Sequence, residues 1–337
     1  MDTSFSDVTT MRVGGPIGRL QIPETTAHAV ELLREHADGG DSLLVMGGGS
    51  NLVVADSGWP GTVIKMATSQ LAIDGDRVTA DAGVEWDHVV RTTIAEGLSG
   101  IEALSGVPGS VGGTPVQNVG AYGALTSDVL ESLHVYDRET GSVERWLPER
   151  CGFGPHRTSV FKRNPRWVVL DVTLRLRRAD RSNPITYADL AHALGIEAGQ
   201  TAAPADVREA VLSLRRKRGM VLDPDDHDTW SVGSFFLNPV LAEVPEAASE
   251  CPQHVVSEGI KLSAAWLIHR SGFAPGYGGD WGNGNVTLSS RHTLAITNRG
   301  GATTDDVMKF AAHIRGGVED RFGVRLSPEC DLINCSF

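Results

Sequence analysis

No stretch of the 337-residue chain approaches the ~18 consecutive apolar residues that a membrane-spanning helix requires. The opening Met1-Asp2-Thr3-Ser4 has neither the basic stretch nor the apolar stretch of a secretory leader, so the expected location is the cytoplasm. Cysteine is scarce: Cys151, Cys251, Cys330 and Cys335 include no C-x-x-C pair, and no histidine pair completes a zinc site. Four free thiols and no metal are therefore expected. Positive charge is also short, with 30 Lys and Arg against 42 Asp and Glu and a net charge of −12. That balance argues against nucleic acid or an anionic membrane as partner, with one local exception at Arg215-Arg216-Lys217-Arg218. Internal repeats and low-complexity segments are absent. What remains is an ordinary globular composition, 41% hydrophobic and 21% charged, long enough for two or three domains.

Glycine is plentiful, and its placement is informative. The apolar run Ser42-Leu43-Leu44-Val45-Met46 leads directly into Gly47-Gly48-Gly49-Ser50-Asn51. A strand ending in three glycines offers backbone N–H groups with no Cβ in the way, which suits the oxygens of a diphosphate. The following Ser and Asn add a hydroxyl and an amide. The spacing is not G-x-G-x-x-G and the next segment is strand-like, so a nucleotide here would not be held as in a Rossmann fold. A second stretch, Ser105-Gly106-Val107-Pro108-Gly109-Ser110-Val111-Gly112-Gly113-Thr114, continues to Asn118-Val119-Gly120-Ala121-Tyr122-Gly123. Its six glycines alternate with apolar residues and almost no charge, unlike a solvated linker. Two such loops flanking a β-rich segment suit a long dinucleotide such as FAD.

Around them the pattern mixes strands and helices. Strands are predicted at 62–66, 71–73 and 77–80, with a turn at Asp74-Gly75-Asp76, then a helix over 85–96 stopped by Gly97. A hairpin follows (133–137 and 143–146), then an irregular segment at 157–162 and a long strand at 167–176. Helices are predicted at 201–217, with Pro204 in the first turn, and at 261–268, closed by Gly272. The stretch 220–228 breaks periodicity like a domain junction. A strand is predicted at 293–298, and Thr303 with Asp306 caps a last helix ending before Gly323.

Three spots carry chemistry. Arg157 offers a planar, permanently charged fork for a carboxylate or enolate, although an isolated arginine serves equally as a surface ion-pair partner. Ser234, between Gly233 and Phe235-Phe236, has a pinned and partly dried hydroxyl, or is a plain strand-start serine; no G-x-S-x-G surrounds it, so hydrolase chemistry is not indicated. Glu329 is a late carboxylate that solvent alone would explain.

Together, Gly47–Asn51, Ile101–Gly112, Gln117–Gly123, Arg157–Lys162, Gly233–Pro239 and Pro328-Glu329 resemble the UDP-N-acetylenolpyruvoylglucosamine reductase family, in the family's order along the chain. Pro184–Leu190 is similar to the tyrosine-bearing loop of its longer subtype. The resemblance implies an α+β fold: two FAD-binding lobes of the vanillyl-alcohol-oxidase type (1–66 and 67–223, with the tyrosine loop near 183–190) and a C-terminal α+β substrate domain (224–337). It implies a monomer in peptidoglycan precursor synthesis that uses NADPH, through non-covalent FAD, to reduce UDP-N-acetylglucosamine enolpyruvate to UDP-N-acetylmuramate. Gly47, Gly48, Gly49, Ser50, Asn51, Ser105, Gly106, Pro108, Gly109, Ser110, Gly112 and Gly113 would hold the cofactor. Arg157 and Glu329, the latter protonated or sharing a proton, would stabilise an enolate that Ser234 protonates. Tyr122, Tyr187, Lys217 or Arg218, Asn238 and His292 are candidates for the sugar nucleotide. His156 stands where the family has Tyr, and Lys217-Arg218-Gly219 where it places Lys directly before Gly. A flavin-dependent alcohol oxidase on the same scaffold is the alternative enzyme, and a sugar-nucleotide binding protein without activity is the non-enzymatic one.

Overall fold

A computed structural model describes residues 3–36, 42–154 and 158–337. The chain divides into two compact units. One, the sheet unit, comprises Gly18–Gly48 and Pro60–Lys217; the other, the split unit, is assembled from Met1–Ile17, Gly49–Trp59 and Arg218–Phe337.

The sheet unit is organised by a five-stranded antiparallel sheet in the order Val143–Trp146, Leu130–Asp137, Trp167–Arg175, Arg77–Asp81, Leu71–Asp74. Its central strands are rich in β-branched and aromatic residues, and Leu133 opposite Val172 and Val135 opposite Val169 put apolar pairs on one face. A register shift between His134 and Val135 marks a bulge there. The hairpin turn at Asp74-Gly75-Asp76 and the strands around it form as the pattern predicts, with Gly75 at φ +64°. A parallel pair, Leu43–Met46 beside Trp59–Lys65, carries the first glycine loop at its end. The helices are α1 (Thr26–Glu35), α2 (Trp86–Ala95), the single turn α3 (Gly113–Val116), α4 (Ala188–Leu194) and α5 (Pro204–Lys217). Helix α2 buries Trp86, Val89 and Val90 on the face that the spacing predicts, while α5 starts only at Pro204. Proline lacks the N–H that an interior position must donate, so it opens the helix and leaves 201–203 outside.

The split unit has no sheet of more than three strands among the described residues. Its core gathers around α7 (Thr304–Phe322), which buries Val307, Phe310, Ala311, Ile314 and Val318 against Phe235, Phe236, Leu267 and Leu326. Thr303 and Asp306 form the expected reciprocal cap, and Gly323 ends the helix at φ +66°. The helix expected at 261–268 is corrected: Gly259–Leu262 is a strand between Gln253–Val256 and Val240–Leu241, and α6 spans Ala264–Arg270. Lys261 and Leu262 fit a helical pattern locally, but strand partners on both sides take their backbone groups, and Ser263 accepts the Trp266 N–H to start the helix after them. The strand expected at 293–298 is shorter, Ile296–Asn298, paired with Val286–Leu288. Near the end of the described chain, Asp331–Ile333 pairs in parallel with Leu52–Val54, the strand that follows the first glycine loop.

Candidate functional site

Backbone hydrogen bonds in the split unit bring two of the predicted residues together. Phe235, next to Ser234, donates its N–H to the Leu294 carbonyl (2.8 Å), and its own carbonyl accepts the Glu329 N–H (2.9 Å). Leu237 N–H donates to Ser327, and Phe236 bridges Pro328, so residues 235–237 and 327–329 run side by side, with Ser234 next in the chain. Phe235 and Phe236 are almost fully buried, which anchors the irregular segment that carries the half-buried Ser234. Two residues past Glu329, Asp331 N–H donates to the carbonyl of Asn51 (2.9 Å). The serine, the carboxylate and the end of the first glycine loop thus share one main-chain scaffold. The Asn51 side-chain nitrogen is buried and has no hydrogen-bond partner, a cost of about 1–3 kcal/mol that a bound acceptor would relieve. Arg157 and His156 lie outside the described residues.

In the sheet unit the two glycine loops touch. A Cβ on Gly47 would lie 2.1 Å from Ser110 Oγ, and one on Gly48 would lie 2.9 Å from the Cα of Gly109. Among the described residues, the N–H groups of Gly47, Gly48, Gly109 and Ser110 donate to no protein acceptor. They form the donor set that a diphosphate needs. The neighbouring groups are already used. Gly106 donates its N–H to Asp87 (2.6 Å) and accepts from Arg215 (3.1 Å). Ser105 Oγ–H donates to the Glu102 carbonyl, and the N–H groups of Gly112 and Gly113 go to Ala82 and Ser110. These residues shape the loop. Asp87 also takes both arms of Arg208 at 2.7 Å. Burial pushes the Asp87 carboxyl up, but Arg208 and the Gly106 N–H outweigh it and hold the group below its usual value.

Tyr122 and Tyr187 also meet. Gly120-Ala121 and Ala124-Leu125 pair through a two-residue turn in which Tyr122 (φ +49°) and Gly123 (φ +88°) are both left-handed, which puts Tyr122 at the tip. Its ring stands edge-on to Tyr187, 5.3 Å away at 81°. Tyr187 precedes α4 and is 42% exposed. A cavity of about 60 Å³ beside them is lined by Tyr122, Glu102, Asn183 and Thr186. Lys217 ends α5 exposed, Arg218 is half-buried, and Gly219 turns left-handed (φ +65°).

The remaining candidates have structural duties. Asn238 Oδ1 accepts the Ala264 N–H that opens α6 (2.9 Å). His292 Nδ1 accepts the Leu294 N–H (3.1 Å).

The sequence matches the model of the UDP-N-acetylenolpyruvoylglucosamine reductase C-terminal domain over residues 223–333 and that of an FAD-binding domain over 19–146. The UDP-N-acetylenolpyruvoylglucosamine reductase of Thermobifida fusca is 48% identical over 99% of both chains. That of Mycolicibacterium smegmatis is 46% identical over 98% of this chain and 94% of its own.

The chain belongs to the UDP-N-acetylenolpyruvoylglucosamine reductase family.

The crystal structure of the reductase of Thermus caldophilus agrees in fold, with a TM-score of 0.67 and 25% identity over 99% of this chain and 98% of that one. The α+β architecture and the FAD-binding domain expected of a reductase are therefore present, and the glycine cradle and the orphaned Asn51 amide fit that cofactor. One part of this reductase escaped the sequence reading: a polar cluster in which Asp228 gathers Ser289, Ser290, Arg291 and Arg299. Its only trace in the sequence is the acidic run 223–228, which reads as a solvated junction.

Proposed function

We infer that this chain uses NADPH to reduce UDP-N-acetylglucosamine enolpyruvate to UDP-N-acetylmuramate, supplying a peptidoglycan precursor and so cell shape and division. The observation that carries the reading is the Phe235 carbonyl, next in the chain to Ser234, which accepts the Glu329 N–H. Bound FAD supplies the two-electron transfer between NADPH and the terminal carbon of the enolpyruvyl group. Negative charge then develops on the adjacent carbon and its carboxylate, where Arg157 and Glu329, protonated or sharing a proton, stabilise it. Ser234 Oγ–H donates the proton to that carbon, and a serine of ordinary acidity suffices because a carbanion is a far stronger base.

The N–H groups of Gly47, Gly48, Gly109 and Ser110 hold the diphosphate of FAD, with Gly49, Ser50, Asn51 and Pro108 beside them; Ser105, Gly106, Gly112 and Gly113 keep the loop in shape. Tyr122 and Tyr187 close over the sugar nucleotide, Lys217 or Arg218 meets its phosphates, and Asn238 and His292 line its path. The lobes are 1–66 and 67–223 with a substrate domain at 224–337, and the protein works as a cytoplasmic monomer. A visible spectrum, followed by NADPH consumption with and without the enolpyruvyl sugar nucleotide, tests the proposal. A colourless protein, or NADPH oxidation that ignores the substrate, defeats it.

A further inference from the structure

We propose that Asp228 is a positioning residue for proton delivery: its carboxylate folds the turn at 289–294, whose backbone holds Ser234 against Glu329. The proposal rests on the roles given to Ser234 and Glu329 above.

Asp228 is 5% exposed and accepts five hydrogen bonds, from Ser289 Oγ (2.9 Å), the Ser290 N–H (3.0 Å) and Oγ (3.1 Å), Arg291 Nε (2.9 Å) and Arg299 (3.1 Å). Burial alone would raise its carboxyl; Arg291, the Ser290 N–H and the serine hydroxyls reverse that and keep it a carboxylate. The other arm of Arg291 reaches Asp226.

From this hub a continuous relay runs to the serine. Ser289 Oγ donates to Asp228 and accepts the N–H groups of Arg291 and His292, both at 3.1 Å, which closes the turn. His292 Nδ1 accepts the Leu294 N–H, the Leu294 carbonyl accepts the Phe235 N–H, and the Phe235 carbonyl accepts the Glu329 N–H. Every link is 3.1 Å or shorter. The hub also abuts Gly219: a Cβ there would lie 3.2 Å from the Asp228 carbonyl and 3.5 Å from Arg291 Nε. A cluster that served only to neutralise two arginines would not need the two serines and the turn that Ser289 closes.

The test is Asp228→Asn, which keeps the size and removes the charge that gathers the donors. Stopped-flow absorbance of the holoenzyme follows flavin reduction by NADPH and reoxidation by the enolpyruvyl sugar nucleotide separately. Reoxidation should slow roughly 10- to 100-fold, as misplacement of a reacting group by about an ångström does, while reduction stays near the wild-type rate. Hydrogen–deuterium exchange should speed up in peptides covering 233–237 and 327–330. Ser289→Ala, which removes one link of the turn, should give the same pattern in milder form and decides the matter if Asp228→Asn does not fold. Wild-type reoxidation in both variants, or equal slowing of both half-reactions without the local exchange, overturns the proposal. A wild-type enzyme that never reoxidises with this substrate defeats the underlying reading instead, and the exchange data then judge the relay alone.

Discussion

The two units hold their functional groups in opposite ways. In the sheet unit the largest sheet is a five-stranded antiparallel ladder, and the candidate binding residues lie on shorter pairings, turns and helix ends: glycines after the parallel strand Leu43–Met46, Tyr122 on a tight hairpin, Tyr187 exposed before α4. In the split unit the strands are two to four residues long, and Ser234 and Glu329 are fixed by main-chain bonds between segments distant in sequence, stitched by polar side chains such as Asp228 and Asn298. Binding a flexible sugar nucleotide tolerates groups that swing, whereas placing one proton on one carbon does not. On the proposed roles, the difference teaches that turns closing short regular elements serve the cofactor and irregular, polar-clamped backbone serves the chemistry.

The comparison breaks first at Ser234→Ala. Flavin reoxidation by the substrate should fall by ~10²–10⁴-fold while reduction by NADPH proceeds, because in the proposed mechanism only the former consumes the serine proton. Ser234→Cys should restore part of the loss, and stopped-flow absorbance separates the two steps. If reoxidation stays normal in the alanine variant, the clamped backbone holds a merely structural serine. On the sheet side, Gly48→Ala forces a Cβ to 2.9 Å from the Gly109 backbone. A backbone neighbour cannot swing aside, so the purified variant should lose most of its flavin absorbance yet keep its fold by circular dichroism.

A third change asks whether polar clamps matter in the sheet unit too. Asp137, 1% exposed, takes two hydrogen bonds from Arg166 (2.8 and 2.7 Å), which with the Glu139 N–H and Thr140 outweigh its burial and lower its pKa to about 2. A carboxyl depressed in the folded state stabilises above its unfolded value near 4 and loses that contribution as the pH falls toward 2. Arg166→Met should therefore lower the neutral-pH melting temperature by roughly 5–10 °C, with the gap to wild type narrowing below pH 4. An unchanged melting curve would show that the ladder alone suffices. The smallest effect belongs to Tyr187→Phe: loss of one hydroxyl should weaken sugar-nucleotide binding roughly 5-fold and leave flavin reduction untouched. Equal loss in both half-reactions would take Tyr187 off the substrate.

Legibility in the sequence follows the same divide. The strands at 71–74, 77–81 and 167–175, the 133–137 part of Leu130–Asp137 and the helix α2 were readable because each carries its own periodicity. Lys261-Leu262 misled because the partners that make them a strand, Val240–Leu241 and Gln253–Val256, are not adjacent in the helical-looking stretch. The glycine loops announced themselves through composition, and Ser234 and Glu329 through family resemblance. Asp228 did neither, since the donors it gathers lie about sixty residues further on and no local pattern joins them.

The parallel pairing of Leu52–Val54 with Asp331–Ile333 has a bearing on biosynthesis. Strand 52–54 leaves the ribosome early and must wait, one edge unsatisfied, until the chain has been made through Ile333. With nearly the whole polypeptide as the loop to be closed, this contact is entropically among the costliest in the molecule and is expected to form late. The sheet unit has no such dependence on the last segment and can mature first. A nascent or truncated chain ending before residue 331 would then have its sheet unit complete and an open, aggregation-prone edge at Leu52–Val54.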